Sequence, residues 1–274
     1  MKLVFLDIDG TLLPAGCDEP PVSALKAIER AKANGHKVFL CTGRNPGAYS
    51  FLKKYPFDGD VGSGGGYVCI GEDVIFDSPL PYSVLQNALD FMHNAGMYCV
   101  LEGLTETYAE PDYEGTVLHQ IDAEERPEWL QWYKNAWTRF RWQGWETYEG
   151  APIYKLVFIG ADESAIREAE KKLESDFYFC FHSAPGSQVF NGEMIPRAFD
   201  KGRGIMRVCE ALGVPVEDTV AFGDSPNDLE MIQTAGIGVC MGNGHPGLKE
   251  LADIVCGAVN EDGLASGFEM AGLL

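Results

Sequence analysis

Leu3-Val4-Phe5-Leu6-Asp7-Ile8-Asp9-Gly10-Thr11-Leu12 sets four apolar residues directly before two carboxylates that stand one residue apart. An uninterrupted apolar run of this kind reads as a strand buried on both faces, as in parallel sheets. Open parallel sheets hold their ligands beyond the carboxyl ends of the strands. Side chains alternate along a strand, so Asp7 and Asp9 point the same way if the extended form continues, and Gly10 lets the backbone turn straight afterwards. Two carboxylates so held repel unless positive charge intervenes. The simplest partner is a hard divalent cation such as Mg2+, which takes one or two carboxylates and fills its remaining positions with water and phosphate oxygens. Taken alone, Asp followed by Gly is also an ordinary turn signal.

Three later segments repeat the pattern of an apolar run ending in polar residues or a helix start. Lys37-Val38-Phe39-Leu40-Cys41 runs into Thr42-Gly43-Arg44, which offers a hydroxyl and a flexible backbone N–H to an anion; a plain strand-to-helix turn would look the same. Thr219-Val220-Ala221-Phe222 runs into Gly223-Asp224-Ser225-Pro226-Asn227-Asp228, just before a predicted helix from Leu229 to Thr234. Helix capping explains one of those acids well and both poorly. Lys201 opens a helix whose apolar positions Ile205, Val208, Cys209 and Leu212 recur at helical spacing until Gly213 stops it. A lysine there opposes the helix dipole, which is easier to understand if its ammonium neutralises a phosphate or a carboxylate cluster.

Together the four segments resemble, in order and in kind, the motifs of the haloacid dehalogenase superfamily of phosphotransferases, and most closely its Cof-type phosphatase branch. Asp7 to Thr11 matches the first motif, Thr42-Gly43-Arg44 the second, Lys201-Gly202 the third and Gly223 to Asp228 the fourth. The resemblance continues through Ala235-Gly236-Ile237-Gly238 and Gly242-Asn243 to Glu261-Asp262-Gly263, and is weak over the middle of the chain. It implies a Rossmann-like parallel-sheet core with an inserted α/β cap, and Mg2+ as cofactor. It also implies Asp7, Asp9 through its carbonyl, and Asp224 as metal ligands, with Asp228 behind them and Gly43 and Asn227 at the substrate phosphate.

The chemistry asked of these residues follows from their types. A carboxylate needs no base to become a nucleophile, so Asp7 can attack phosphorus and form an aspartyl-phosphate. An anionic nucleophile approaching an anionic phosphate needs positive charge, which Mg2+ and Lys201 supply, with Thr42 and backbone N–H groups fixing the phosphate oxygens. Asp9 is then expected to protonate the leaving alcohol and later to deprotonate the attacking water.

Charge narrows the partners. The 274 residues carry 41 acidic against 21 basic side chains, a formal charge of −20. That argues against nucleic acid, which needs a basic face. A small phosphate ester meets local charge only, because screening hides distant acids beyond about 8 to 10 Å. The 8 cysteines contain no Cys-x-x-Cys pair and read as reduced core thiols. No apolar run approaches membrane-spanning length and the amino terminus reads as a strand, so a cytoplasmic protein is expected.

Proline-marked joints at Ser78-Pro79-Leu80-Pro81 and at Asn191 to Pro196 bracket a middle segment with its own helices and strands. The predicted domains are therefore residues 1–81 with 194–274 as the catalytic core, and 82–193 as an inserted cap that selects substrate. The segment 129–148 holds all 5 tryptophans, expected to build the cap's small core rather than an aromatic ligand wall. Arg139, Arg141 and Lys155 are weighed as contacts for a second anionic group, and His119 and His182 as cleft residues; neither set is carried as a site. Gly62-Ser63-Gly64-Gly65-Gly66 fits no nucleotide-binding spacing and reads as a tight turn. The expected activity is a Mg2+-dependent phosphatase acting on a small phosphorylated metabolite such as a sugar phosphate, as a monomer or homodimer. A sugar phosphomutase of the same superfamily, or a phosphate-ligand sensor without turnover, is the alternative.

Overall fold

The run Leu3–Leu6 is a strand with all four side chains buried, and the rest of the first sheet is built around it. In this computed structural model residues 1–111, 141–181 and 190–274 are described. The chain divides into two units, one of Met1–Arg44, Phe51–Asp77 and Phe199–Leu274, the other of Asn45–Ser50 and Ser78–Ala198. The first unit opens with strands β1 (Leu3–Leu6), β2 (Lys37–Cys41), β3 (Gly59–Gly62), β4 (Tyr67–Ile70) and β5 (Asp73–Asp77). The second holds β6 (Tyr98–Gly103), β7 (Glu106–Ala109), β8 (Arg141–Gly144), β9 (Ile153–Gly160), β10 (Phe177–Phe181) and β11 (Phe190–Pro196). The chain then returns to the first with β12 (Thr219–Gly223), β13 (Ile237–Cys240) and β14 (Ile254–Val255).

The first unit's sheet runs β14-β13-β12-β1-β2-β3-β4-β5. Strands β14 to β3 are parallel, and β4 and β5 add an antiparallel hairpin. Both faces are covered, as a parallel sheet requires. Phe5 stacks on Phe39 at 5.3 Å within a cluster that takes in Ile205 and Val208 of the helix Lys201–Leu212 and Met231 and Ile232 of the helix Leu229–Thr234. Phe222, one residue out of phase with Ala221 of that cluster, stacks instead on Phe268 of the helix Gly263–Met270 at 5.0 Å. Each such ring contributes about 1.5–3 kcal/mol through burial. After Gly62, the last residue of β3, Ser63–Gly65 make a single 3-10 turn, with Gly64 and Gly65 at φ 66° and 101°.

The second unit's sheet runs β10-β11-β9-β6-β7-β8. Leu85, Ala88, Leu89 and Met92 of the helix Tyr82–Asn94, with Ile166 and Leu173 of Glu163–Leu173, pack on Leu101, Leu156 and Phe158. The joint expected at Asn191 to Pro196 is itself strand β11, tolerated because Pro196 is its last residue and pairs opposite Phe177. Lys155 has a different duty from anion recognition: its buried ammonium lies 2.8 Å from Glu193 and 3.3 Å from Glu102. Arg141 lies 3.2 Å from Glu106. Trp145 and Tyr148, both partly buried, pack against the unit's core and Trp142 against Val100 and Ile159. Trp129, Trp132, Trp137, Arg139, His119 and His182 lie outside the described residues. Among the described residues no helix is long and apolar enough to cross a membrane.

Candidate active site

Strand order alone brings the motifs together. β1 pairs in parallel with β12 on one side, Leu6 opposite Phe222, and with β2 on the other, Leu6 opposite Leu40. Asp7, Gly223-Asp224 and Thr42 therefore leave three adjacent strand tips, where a parallel sheet collects its ligands. Lys201 reaches the same place from the first position of its helix, which Asp200 caps by accepting the Arg203 N–H at 2.7 Å and Gly213 ends at φ 65°.

The Lys201 ammonium is the hub. It donates to Asp7 Oδ1 at 2.7 Å and to Asp228 Oδ1 at 2.5 Å, with Asn227 Oδ1 at 3.4 Å. Asp228 is fully buried, and its other oxygen accepts the N–H groups of Asp224 and Ser225 at 2.9 and 3.0 Å. Asp224 Oδ1 accepts the Thr11 hydroxyl at 3.0 Å. Carboxylate oxygens of Asp7, Asp224 and Asp228 all lie within 4.8 Å of one another.

Three acids against one ammonium leave the cluster short of positive charge. Burial, then Asp228, raises the Asp7 carboxyl well above its ordinary value, with Lys201 pulling the other way. Burial and then Asp228 push Asp224 up to about 7. Burial opposes the charge on Lys201, but Asp228 and Asp7 outweigh it and hold the ammonium well above its usual range. Asp7 Oδ2 and Asp224 Oδ2 accept no hydrogen bond among the described residues. Two free carboxylate oxygens in an electron-rich, all-oxygen cluster are the donor set of a hard divalent cation, so the residues fit Mg2+.

The other predicted residues border this cluster. Thr42 is buried and its hydroxyl accepts the Arg44 N–H at 3.1 Å. A side chain on Gly43 would meet Asn227 Nδ2 at 3.5 Å, so those two anion-facing candidates are neighbours. The Asp9 carboxylate is turned elsewhere. It pairs with Arg44 through one guanidinium edge, Nε to one carboxylate oxygen at 2.7 Å and Nη2 to the other, closer still, and is 49% exposed. Arg44 ends the second motif. Its Nη1 is buried with no hydrogen-bond partner among the described residues, a donor left with capacity for a further acceptor. The Asn243 amide donates to the Gly10 carbonyl at 2.9 Å and its oxygen accepts the Val259 N–H at 2.8 Å, which holds the turn after Asp9. The opposite charges four residues after Leu40 and three after Leu6 are the sequence signal for Arg44; Asn243 stands in the Gly242-Asn243 stretch over which the resemblance continues.

Residues 4–268 match the family described as haloacid dehalogenase-like hydrolase. The Bacillus subtilis protein YkrA is 31% identical over 100% of this chain and 98% of its own length. The B. subtilis 5-amino-6-(5-phospho-D-ribitylamino)uracil phosphatase YwtE is 27% identical over 97% and 96%. Among solved structures, a hypothetical protein of Geobacillus kaustophilus superposes with a TM-score of 0.80 at 27% identity, over 100% of this chain and 99% of that one. A sugar phosphatase of subclass IIB shares the fold at a TM-score of 0.81 and 24% identity, covering 100% of both chains. The chain belongs to the haloacid dehalogenase-like hydrolases and is an enzyme of their phosphatase group, with the parallel-sheet core and second sheet of that fold.

Proposed function

We propose that the protein is a Mg2+-dependent phosphatase of a small phosphorylated metabolite, working through an aspartyl-phosphate on Asp7. The observation that carries this reading is the Lys201 ammonium 2.7 Å from Asp7 inside a cluster of three acids at adjacent strand tips. Asp7, Asp224 and the carbonyl of Asp9 would hold the cation, with Asp228 fixing Lys201 and the Asp224 loop. When bound, it supplies the charge that keeps Asp7 and Asp224 ionised and that an approaching phosphate needs.

Asp7 attacks phosphorus as the ester P–O bond breaks, and the departing oxygen takes a proton from Asp9. Asp9 then accepts a proton from water, whose oxygen displaces phosphate and restores Asp7. For the first of these steps the Asp9–Arg44 pair must open, which the exposure of Asp9 permits. Thr42, Gly43, Asn227 and Lys201 hold the phosphate oxygens, and Lys201 offsets their charge. The second unit, read from sequence as residues 82–193, is proposed as the cap that selects the organic half of the substrate. The relatives' named activities support a phosphate monoester, and the 41 acids speak for a small ligand over nucleic acid. A phosphate-release screen over many phosphorylated metabolites, run with Mg2+ and with chelator, tests this; release independent of Mg2+, or none from any ester, counts against it.

The raised Asp224 carboxyl sets a pH dependence with a definite sign. With its value near 7 in the fold against 3.8 ordinarily, the folded state carries a proton that the unfolded chain has lost across that window. Stability without metal therefore falls as pH rises from about 4 through about 7. Mg2+ takes the proton's place. Thermal melts should show a Mg2+-induced rise in Tm several degrees larger near pH 8 than near pH 5.

Gly10 links the first and fourth motifs. Its φ is 77°, and a Cβ there would run into the Asp224 carboxylate. Gly10→Ala should cost about 1–2 kcal/mol in backbone strain and displace Asp224. Mg2+ titration of phosphate release should show an apparent affinity lower by at least about tenfold, near 1.4 kcal/mol.

A further inference from the structure

His93, Cys99 and Glu110 converge in the second unit, on residues that the reaction above does not use. His93 lies in the last turn of the helix Tyr82–Asn94, Cys99 is the second residue of β6, and Glu110 follows β7 directly. The antiparallel pairing of β6 with β7, Val100 opposite Ala109, carries Cys99 and Glu110 side by side. One Glu110 oxygen accepts the Cys99 backbone N–H at 2.5 Å, which leaves the other facing His93 Nε2 at 2.5 Å. Trp145 meets the His93 ring edge-on at 6.1 Å and 67°. A ring nitrogen of His93, the Cys99 sulfur and a Glu110 oxygen all lie within 4.8 Å of one another.

A His93–Glu110 hydrogen bond by itself would account for two of these groups. Cys99 also belongs to the apolar core of this unit, but neither core packing nor that hydrogen bond calls for a carboxylate whose second oxygen is pinned by the backbone of the same cysteine. Orientation of this sort is what outer hydrogen bonds do for a metal ligand. His93 also lines a cavity of about 460 Å³ with Tyr82, Asp90, Trp145 and Tyr148, so this one of the three groups faces open space.

We propose that His93, Cys99 and Glu110 form a second metal site, selective for a borderline divalent transition metal of the zinc class over Mg2+. Sulfur and imidazole donors favour such an ion, while Mg2+ prefers oxygen alone. Three protein ligands leave a fourth position for water or a small ligand. On binding, the Cys99 S–H bond breaks and its proton leaves to solvent; the proton between His93 Nε2 and Glu110 passes through solvent to Nδ1, and the sulfur, Nε2 and the freed Glu110 oxygen join the metal. The site ties the end of the helix to the β6–β7 hairpin, so its effect is on the stability of this unit rather than on the chemistry at Asp7.

The full chain, held in excess Mg2+ to cover the acidic cluster in the first unit, is titrated with Co2+ as a spectroscopic probe and then with Zn2+. A thiolate-to-cobalt charge-transfer band should saturate at one equivalent and be bleached by Zn2+. It should vanish in Cys99→Ala and need at least tenfold more Co2+ in His93→Gln, a substitution the fold accepts because that side chain is 43% exposed. Phosphate release in Mg2+ should be unchanged in His93→Gln, so failure of this site and failure of the phosphatase reading are separate results. No band in the parent protein, or a band of full strength at the same Co2+ concentration in His93→Gln, overturns the proposal.

Discussion

Asp7→Asn should lower phosphate release by at least about 10⁴-fold, the scale seen when a nucleophile is removed from a working active site. The loss should fall on kcat, because an amide fills the same space and leaves Lys201, Thr42 and Asn227 in place to hold the phosphate. The fold should not suffer. Burial and Asp228 hold the Asp7 carboxyl well above its ordinary value, so a neutral amide relieves the metal-free cluster of a repulsive group. In chelator the variant should melt at or above the parent's Tm. Loss of activity accompanied by a large fall in Tm would instead mark Asp7 as a structural acid.

Lys201→Met should be the most destabilising single change in the site. The ammonium is 2% exposed and is the cation that Asp7 and Asp228 share. Methionine has a similar length and no charge, so it leaves two buried acids facing each other and Asp224. Breaking a buried ion pair from one side costs about 3–5 kcal/mol, which urea unfolding in chelator would read as a lowered midpoint. Adding Asp7→Asn should recover part of that loss, since it removes one of the stranded charges. If Lys201→Met unfolds at the parent's midpoint, the charge balance described for this cluster is wrong.

The strands that position the site were legible because burial on both faces leaves a continuous apolar run. Leu3–Leu6, Lys37–Cys41 and Thr219–Gly223 are β1, β2 and β12, and each ends at a motif. β3 was not legible. It reads Gly59-Asp60-Val61-Gly62, with one large apolar residue, and is a strand because β2 and β4 pair with it on either side. The helix Lys201–Leu212 was legible from its periodicity and its stop at Gly213, and the helix Leu229–Thr234 from its place behind the fourth motif. In the site, the charged and hydroxyl residues could be named from motif spacing, but not their partners. That Asp228 bonds Lys201 directly, that Arg44 clamps Asp9, and that Asn243 holds Gly10 across 233 positions depend on strand order and side-chain direction. The cluster of His93, Cys99 and Glu110 depends on a hairpin register that alternation in sequence does not fix.

The most direct test is rapid acid quench of the enzyme during turnover of its best phosphate ester, followed by peptide mass mapping. A phosphoryl group is expected on the peptide that carries Asp7, present with Mg2+ and absent in Asp7→Asn. A phosphoryl group on any other side chain, or full turnover by Asp7→Asn, would contradict the aspartyl-phosphate route.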